Sequence, residues 1–357
     1  MFNYNETSGL RKQVSSRGRS VVRAFVSSLF IFGPAAAFNV STARAEIVWG
    51  ANGHPLISYP GVTFETQLDL VKGFGGSYYR IDVTSIEKLP ALLNLIAIGR
   101  KKNVQILPVL VPPYDLKSMD PKDLYSKSLA FANYFASRIP EIGVWELGNE
   151  LENYAIIQPC ERRDDGTQYP CEWGPAGGVG PSEYYGPRYE KVAAVLRGLS
   201  EGIKSGNPSA KRAIGSAGWG HVGIFERLNS DNIAWDISVW HSYGKINSWP
   251  FEQLQKYKKP IWVTEFNHNL GSQKDGEEGQ AAGLKEMMET LRRYEKPYGV
   301  EAAFIYELLD EEYWAPNFEA YMGLVKLKKD DQGHWELGSK KAAYKAAKDV
   351  IQDGAKP

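Results

Sequence analysis

From Glu46 onward, short apolar runs rich in Val, Ile, Tyr and Trp alternate with longer amphipathic stretches. Such runs suit strands buried on both faces, and the stretches between them suit helices, so repeated βα units around a parallel sheet are expected. The pattern predicts strands near Ile47–Ala51, Ser77–Val83, Val104–Val111, Gly143–Gly148, Ala213–Ala217, Ile237–His241, Ile261–Glu265 and Ala302–Tyr306. Helices are predicted over Phe64–Gly73, Ile86–Lys102, Pro121–Arg138, Ser182–Ser205, Val222–Asn229, Phe251–Lys258, Glu277–Tyr294 and Lys340–Ile351. Asp120 before Pro121 reads as a helix start, and Gly206-Asn207-Pro208 as a stop. Eight units in roughly 310 residues fit one closed barrel better than an open doubly wound sheet. The expected class is α/β, a single (β/α)8 TIM barrel without an appended β-sandwich, since the last predicted helix reaches almost to the C-terminus.

The first stretch stands apart from this pattern. Arg17, Arg19 and Arg23 lead into the apolar run Ala24–Phe32, and Ala43-Arg44-Ala45 has the small-x-small form of a signal peptidase site. Residues 1–45 are therefore expected to be a removed signal peptide, and 46–357 the mature barrel domain of a secreted or periplasmic protein. A retained anchor is the alternative, although the run is shorter than the ~20 residues of a membrane span.

Charge narrows the choice of partner. The whole chain has 42 basic and 42 acidic residues, but its leader holds six of the former and only Glu6 of the latter, leaving a mature net charge of −5. Mild acidity without basic clusters argues against nucleic acid or an anionic membrane as partner. Beyond export no membrane role is expected, and the chain is expected to act as a monomer. The two cysteines, Cys160 and Cys171, lie in one loop of an exported chain, where an oxidising compartment favours a disulfide. No His or further Cys stands near enough in sequence to turn them into a metal site. Scattered histidines and the lack of a Gly-x-Gly-x-x-Gly after a strand give no sign of a metal or other cofactor.

Two apolar runs end on a glutamate: Val144-Trp145-Glu146-Leu147-Gly148-Asn149-Glu150 and Pro260-Ile261-Trp262-Val263-Thr264-Glu265. They are the fourth and seventh predicted strands, and barrel enzymes place reacting groups at C-terminal strand ends. A pair of carboxylates there is what a retaining glycosidase requires, one to donate a proton and one to attack. Plain surface glutamates are disfavoured by the flanking Asn149 and Phe266-Asn267-His268.

The Gly-Asn-Glu end of strand four and the Thr-Glu-Phe end of strand seven resemble clan A of the glycoside hydrolases, with families 39 and 5 nearest. That resemblance implies Glu150 as acid/base, Glu265 as nucleophile and Asn149 as the donor to the sugar 2-hydroxyl. It also implies His241 and Tyr243, from a His-x-Tyr ending strand six, and Arg80 on strand two beside the nucleophile. Physically, a guanidinium lowers a nearby carboxylate's pKa, which suits a nucleophile, while a drier setting near Trp145 would keep the acid protonated. Arg80 could instead neutralise Asp82, and His241 could be a hydrogen-bonded core residue.

Strand eight departs from the commonest clan pattern, with Phe304-Ile305-Tyr306-Glu307 where a tryptophan platform is usual. Either Tyr306 serves as platform or Glu307 points inward to sugar hydroxyls. His54, after strand one, either touches substrate or caps the barrel mouth. Trp173, Tyr184, Tyr185, Trp219, Trp249 and Trp314 add aromatic faces of the kind on which sugar rings stack. The loop from Asn153 to Pro181, stiffened by the disulfide and carrying Trp173, is expected to wall the substrate cleft. A retaining, endo-acting β-glycosidase of a polysaccharide or oligosaccharide is the resulting expectation. The alternatives are an exo-acting xylosidase, arabinofuranosidase or glucuronidase, a transglycosylase, and a non-catalytic sugar-binding barrel.

Overall fold

The computed structural model describes residues 46–59 and 61–354, so the expected signal peptide and its bearing on location lie outside the described residues. Eight parallel strands close into one barrel in chain order: β1 (Val48–Gly53), β2 (Tyr78–Val83), β3 (Gln105–Leu110), β4 (Val144–Leu147), β5 (Lys211–Ser216), β6 (Ile237–Tyr243), β7 (Ile261–Asn267) and β8 (Val300–Ile305). The ring is sealed where Val48–Ala51 of β1 pair with Ala302–Ile305 of β8. Around it run α1 (Phe64–Phe74), α2 (Leu89–Lys102), α3 (Pro121–Arg138), α4 (Gly186–Gly206), α5 (Gly223–Ser230), α6 (Trp249–Leu254), α7 (Gly276–Tyr298) and α8 (Ala342–Gly354).

Local signals explain several of these boundaries. Asp120 caps α3 by accepting from the Asp123 amide, and Thr63 does the same for α1 through Thr66. Helix α4 begins at Gly186, four residues later than expected, with Pro187 in its first turn, where a missing N–H costs nothing. On α4, a Cβ at Gly198 or Gly202 would lie 2.4 Å from the Tyr125 or Leu129 carbonyl oxygen of α3, so only glycine permits this close helix packing.

Side-chain alternation divides the core in two. Leu107, Ala213, Ile237, Val239, Trp262, Ala302 and Phe304 form one cluster, while a much larger apolar layer packs with the helices. Trp145 belongs to the second, packed on Phe135 of α3. One element was not foreseen: β9 (Val325–Lys329) and β10 (Trp335–Lys340) form a two-stranded antiparallel sheet between β8 and α8. Among the described residues no helix is long and apolar enough to cross a membrane.

Candidate active site

A slip in strand pairing builds the centre of the site. Trp240 of β6 pairs with Val263 of β7, but the next residue, His241, pairs with Glu265, leaving Thr264 as an extra residue. Strict alternation would send Thr264 and Glu265 to opposite faces. The irregularity lets both take partners inside the barrel, Thr264 from His241 and Glu265 from Arg80.

Arg80, 3% exposed, organises the floor. Its Nε and Nη2 form a bidentate pair with Glu146 at 2.8 and 2.6 Å, while Nη1 donates to Glu265 Oε1 at 2.8 Å and to Asn52 Oδ1 at 2.6 Å. Nη2 also donates to Asn149 Oδ1 at 2.9 Å, which orients that amide. Burial alone would weaken the guanidinium's charge, but Glu146 and Glu265 outweigh it and hold its pKa above the ordinary value. Its hydrogen-bonded carboxylates are thus Glu146 and Glu265, not Asp82.

Glu265 Oε2 accepts from Tyr243 Oη at 2.6 Å. Burial first, and then the Glu265 charge, push the Tyr243 phenol well above its usual range, so it stays a donor. Glu150 follows β4 with φ of +50°, a left-handed conformation reached by few residues other than glycine. Its Oε1 lies 2.8 Å from His241 Nδ1, and Asn153 donates to its Oε2 at 3.3 Å. His241 Nδ1 is also 3.3 Å from Glu265 Oε2, and one ligating atom from each of Glu150, His241 and Glu265 lies within 4.8 Å of the others. Burial pushes Glu150 upward, yet the hydrogen bond and charge of His241, with Arg80 behind, hold it below the usual carboxylate range. Burial likewise pushes His241 down, but Glu265 and Glu150 hold it above the ordinary imidazole value.

These groups open into a cavity of about 610 Å³ whose lining includes His54, Arg80, Asp82, Asn149, Glu150, Trp219, Tyr243, Glu265, Tyr306 and Glu319. Tyr306 lies edge-on to both His54 and Tyr243, at 6.0 and 6.1 Å. Trp219, 85% exposed and at φ +56°, and Phe318 also line it. The Trp219 loop is anchored by the buried Glu152, which accepts from the Ala217 amide at 2.6 Å and pairs with His221 at 3.0 Å.

Four expectations need correction. Glu307 is not part of the lining; it is fully buried and accepts from the Tyr59 hydroxyl. Trp145 cannot dry the surroundings of Glu150, because it belongs to the outer core against α3. No residue of the loop from Asn153 to Pro181 lines the cavity. Its Trp173 is 58% exposed and packs on Tyr169, while Arg188 of α4 pairs with Glu161 and draws the loop onto that helix. Tyr184 and Tyr185, Trp249 and Trp314 are likewise absent from the lining. Cys160 and Cys171 are joined in a disulfide. Glu146, Asn52, Thr264 and Glu319 were not foreseen; Glu146 alone left a signal, as a charge in mid-strand.

Residues 187–306 match the protein-family model described as "Glycosyl hydrolase catalytic core". The matched segment holds His241, Tyr243, Glu265 and Tyr306 and begins after Glu150. The barrel is similar to a family 39 glycoside hydrolase from Bacteroides cellulosilyticus WH2, with TM-score 0.57 and 17% identity over 85% of this chain. The chain spans only 63% of that protein's length. It is also similar to a family 1 β-glucosidase from Thermotoga maritima, with TM-score 0.62, 11% identity and coverage of 87% of this chain and 99% of the other. A third likeness is to the virulence factor SghA from Agrobacterium tumefaciens, with TM-score 0.61, 10% identity and coverage of 86% and 97%. No protein of curated function matches.

Proposed function

We propose that this is an exported retaining β-glycosidase acting within polysaccharide chains, with Glu265 as nucleophile and Glu150 as acid/base. The observation that carries this reading is that Glu150 and Glu265 line one cavity, each bonded to its own partners, with a carboxylate oxygen of one within 4.8 Å of an oxygen of the other. Oxygens that close suit a retaining enzyme, whose carboxyl groups stand ≈ 5–5.5 Å apart, better than an inverting one, whose groups stand ≈ 6.5–9.5 Å apart to admit a water. Glu265 attacks the anomeric carbon as the bond to the leaving oxygen breaks, and Glu150 gives that oxygen its proton. Glu150 then takes a proton from water, which attacks the same carbon, frees Glu265 and returns the β configuration.

His241 supplies the proton economy. Thr264 donates to Glu146 at 3.3 Å, so its lone pair faces His241 Nε2 at 3.1 Å and that nitrogen carries a hydrogen. Nδ1 and Glu150 Oε1 then hold one proton between them. The pair titrates as a unit, and the working form has that proton on Glu150.

An exposed Trp219 at the cavity suits a chain that continues beyond the cleaved bond, in support of endo action. Asp82 and Glu319 in the lining oppose a uronate, which disfavours the glucuronidase alternative. Incubation with a panel of neutral β-linked polysaccharides, product masses and NMR of the first-formed anomer test the proposal. Mid-length oligosaccharides released as β anomers are expected. Single sugars only would favour the exo alternative, products longer than the substrate transglycosylation, and α anomers would overturn retention.

A further inference from the structure

His54, at the end of β1, belongs to a second histidine–carboxylate cluster that the hydrolysis above does not use. Its Nδ1 lies 2.6 Å from Asp82 Oδ2, and since a carboxylate only accepts, Nδ1 carries the hydrogen. When the ring is neutral, the Nε2 lone pair faces Glu307 Oε2, 3.5 Å away. Nε2 is buried without a hydrogen-bond partner, and so is Oε1 of Glu307, a residue 0% exposed. One donor atom each from His54, Glu307 and Glu311 lies within 4.8 Å of the others.

Unless His54 carries a second proton, the charges around this cluster do not balance. Glu307 accepts from Tyr59, and Glu311 Oε1 accepts from Ser58 at 3.3 Å and Tyr313 at 2.5 Å, all neutral donors. Among the described residues no Lys or Arg forms an ion pair with Glu307 or Glu311; Arg80 is committed to Glu146 and Glu265, and Lys341 to Asp310. Buried carboxylates without a cation are costly. An imidazole fixed by an outer carboxylate, with its other nitrogen facing two more, is how proteins prepare a metal ligand.

We propose that His54 Nε2, Glu307 and Glu311 bind one divalent metal ion, Zn²⁺ in preference to Ca²⁺ or Mg²⁺. One imidazole and two carboxylates, with a fourth place for water, match the mixed donors of zinc, whereas calcium takes six to eight oxygens and magnesium keeps most of its waters. The ion joins the segment after β1, which carries His54, to the segment after β8, which carries Glu307 and Glu311, and so braces one side of the cavity. A second proton on His54 is the rival occupant.

The full chain, stripped with EDTA and desalted, is incubated separately with Zn²⁺, Mn²⁺, Ca²⁺ and Mg²⁺, desalted again, and assayed by elemental mass spectrometry and thermal melting. About one retained zinc per chain and a raised Tm are expected, with neither for Ca²⁺ or Mg²⁺. Glu311→Gln, whose amide oxygen still accepts from Tyr313, and His54→Gln should each weaken zinc binding at least tenfold, read on protein whose metal-free circular dichroism matches wild type. Glu265→Gln should retain the zinc, which separates this site from the catalytic trio. No retained metal and no melting shift with any of the four ions would leave the proton as occupant and overturn the proposal. Zinc retained by both His54→Gln and Glu311→Gln, or lost in Glu265→Gln, would place the ion elsewhere and equally overturn it. Retention of manganese, calcium or magnesium in place of zinc would overturn the choice of ion.

Discussion

Two histidines belong to the site, His54 in the cavity lining and His241 bonded to the lining residue Glu150, and their surroundings balance charge in different ways. His241 has a partner on each ring nitrogen, Thr264 and Glu150, and its other carboxylate neighbour, Glu265, is paired with the Arg80 guanidinium. His54 has Asp82 on one side and an unpartnered nitrogen facing Glu307 on the other, and among the described residues no guanidinium bonds either carboxylate. The first arrangement is complete as protein alone and needs only a substrate. The second is complete only when a cation or proton enters. A buried carboxylate is thus tolerable in either setting, but the counter-charge is covalent to the fold in one and borrowed in the other.

The largest effect that tests the first half of this comparison is Glu265→Gln. Without a carboxylate to form the covalent intermediate, hydrolysis should fall by about four orders of magnitude or more, measured as kcat/KM on the best polysaccharide. Loss of less than tenfold would remove Glu265 from the chemistry. Next in size, Arg80→Met leaves Glu146 and Glu265 buried without their cation and should cost about 3–5 kcal/mol of stability by chemical denaturation. Little change in the denaturation midpoint would mean that the floor of the site is not held by charge.

His241→Asn sharpens the comparison through pH. A folded pKa above the unfolded value, about 6.5, means that His241 stabilises the fold fully below that value and loses its contribution as pH rises through its folded pKa. Glu150, held below its ordinary value, contributes above the unfolded carboxylate pKa and loses its contribution as pH falls through the folded one. Both contributions coexist only in the window between. In activity, the alkaline limb of kcat/KM reports the shared proton leaving the pair. With asparagine, only Glu150 holds that proton, so the limb should move to lower pH; an unmoved limb would break the proton-sharing reading.

Smaller effects concern the cavity's edge. Trp219→Ala should weaken cleavage of long oligosaccharides about fivefold to tenfold, the scale of one lost stacking contact, and leave short aryl glycosides unaffected. Equal effects on both would tie Trp219 to folding of its loop. Smallest is the outer loop: Trp173→Ala should change kcat/KM by less than about twofold at every chain length, since Trp173 packs on Tyr169 away from the lining. Removing the Cys160–Cys171 bridge should lower stability by at most about 3 kcal/mol without changing that chain-length profile.

How far the site was legible in the sequence varies residue by residue. Glu150 and Glu265 stand out because each closes an apolar run, and a strand end is a position that the run itself marks. Glu146 sits inside such a run, where only a partner from another strand explains a charge, and that partner, Arg80, is 66 residues away. Thr264 was hidden by alternation, which assigns one face to each residue until a pairing slip breaks the rule. Trp173 and Trp219 look equivalent as exposed aromatics in loops. Their difference comes from Arg188, which draws one loop to α4, and from Glu152, which pins the other over the cavity.

By itself the sequence determined the eightfold alternation, and with it the barrel and the ends of the strands, because hydrophobic periodicity and helix caps are properties of neighbouring residues. It also placed two carboxylates at those ends, which ring closure brings to one face, while the arginine and the His-x-Tyr pair were implied by the resemblance to clan A. Tertiary structure alone decided which charges pair: that Arg80 serves Glu146 and Glu265, that His241 bonds Glu150, and that Glu307 turns away from the cavity to join His54, Tyr59 and Glu311. Those outcomes depend on angstrom-scale distances between distant segments in a medium of low dielectric. There a shift of one residue in strand register exchanges one partner for another, and the one-dimensional pattern carries no record of it.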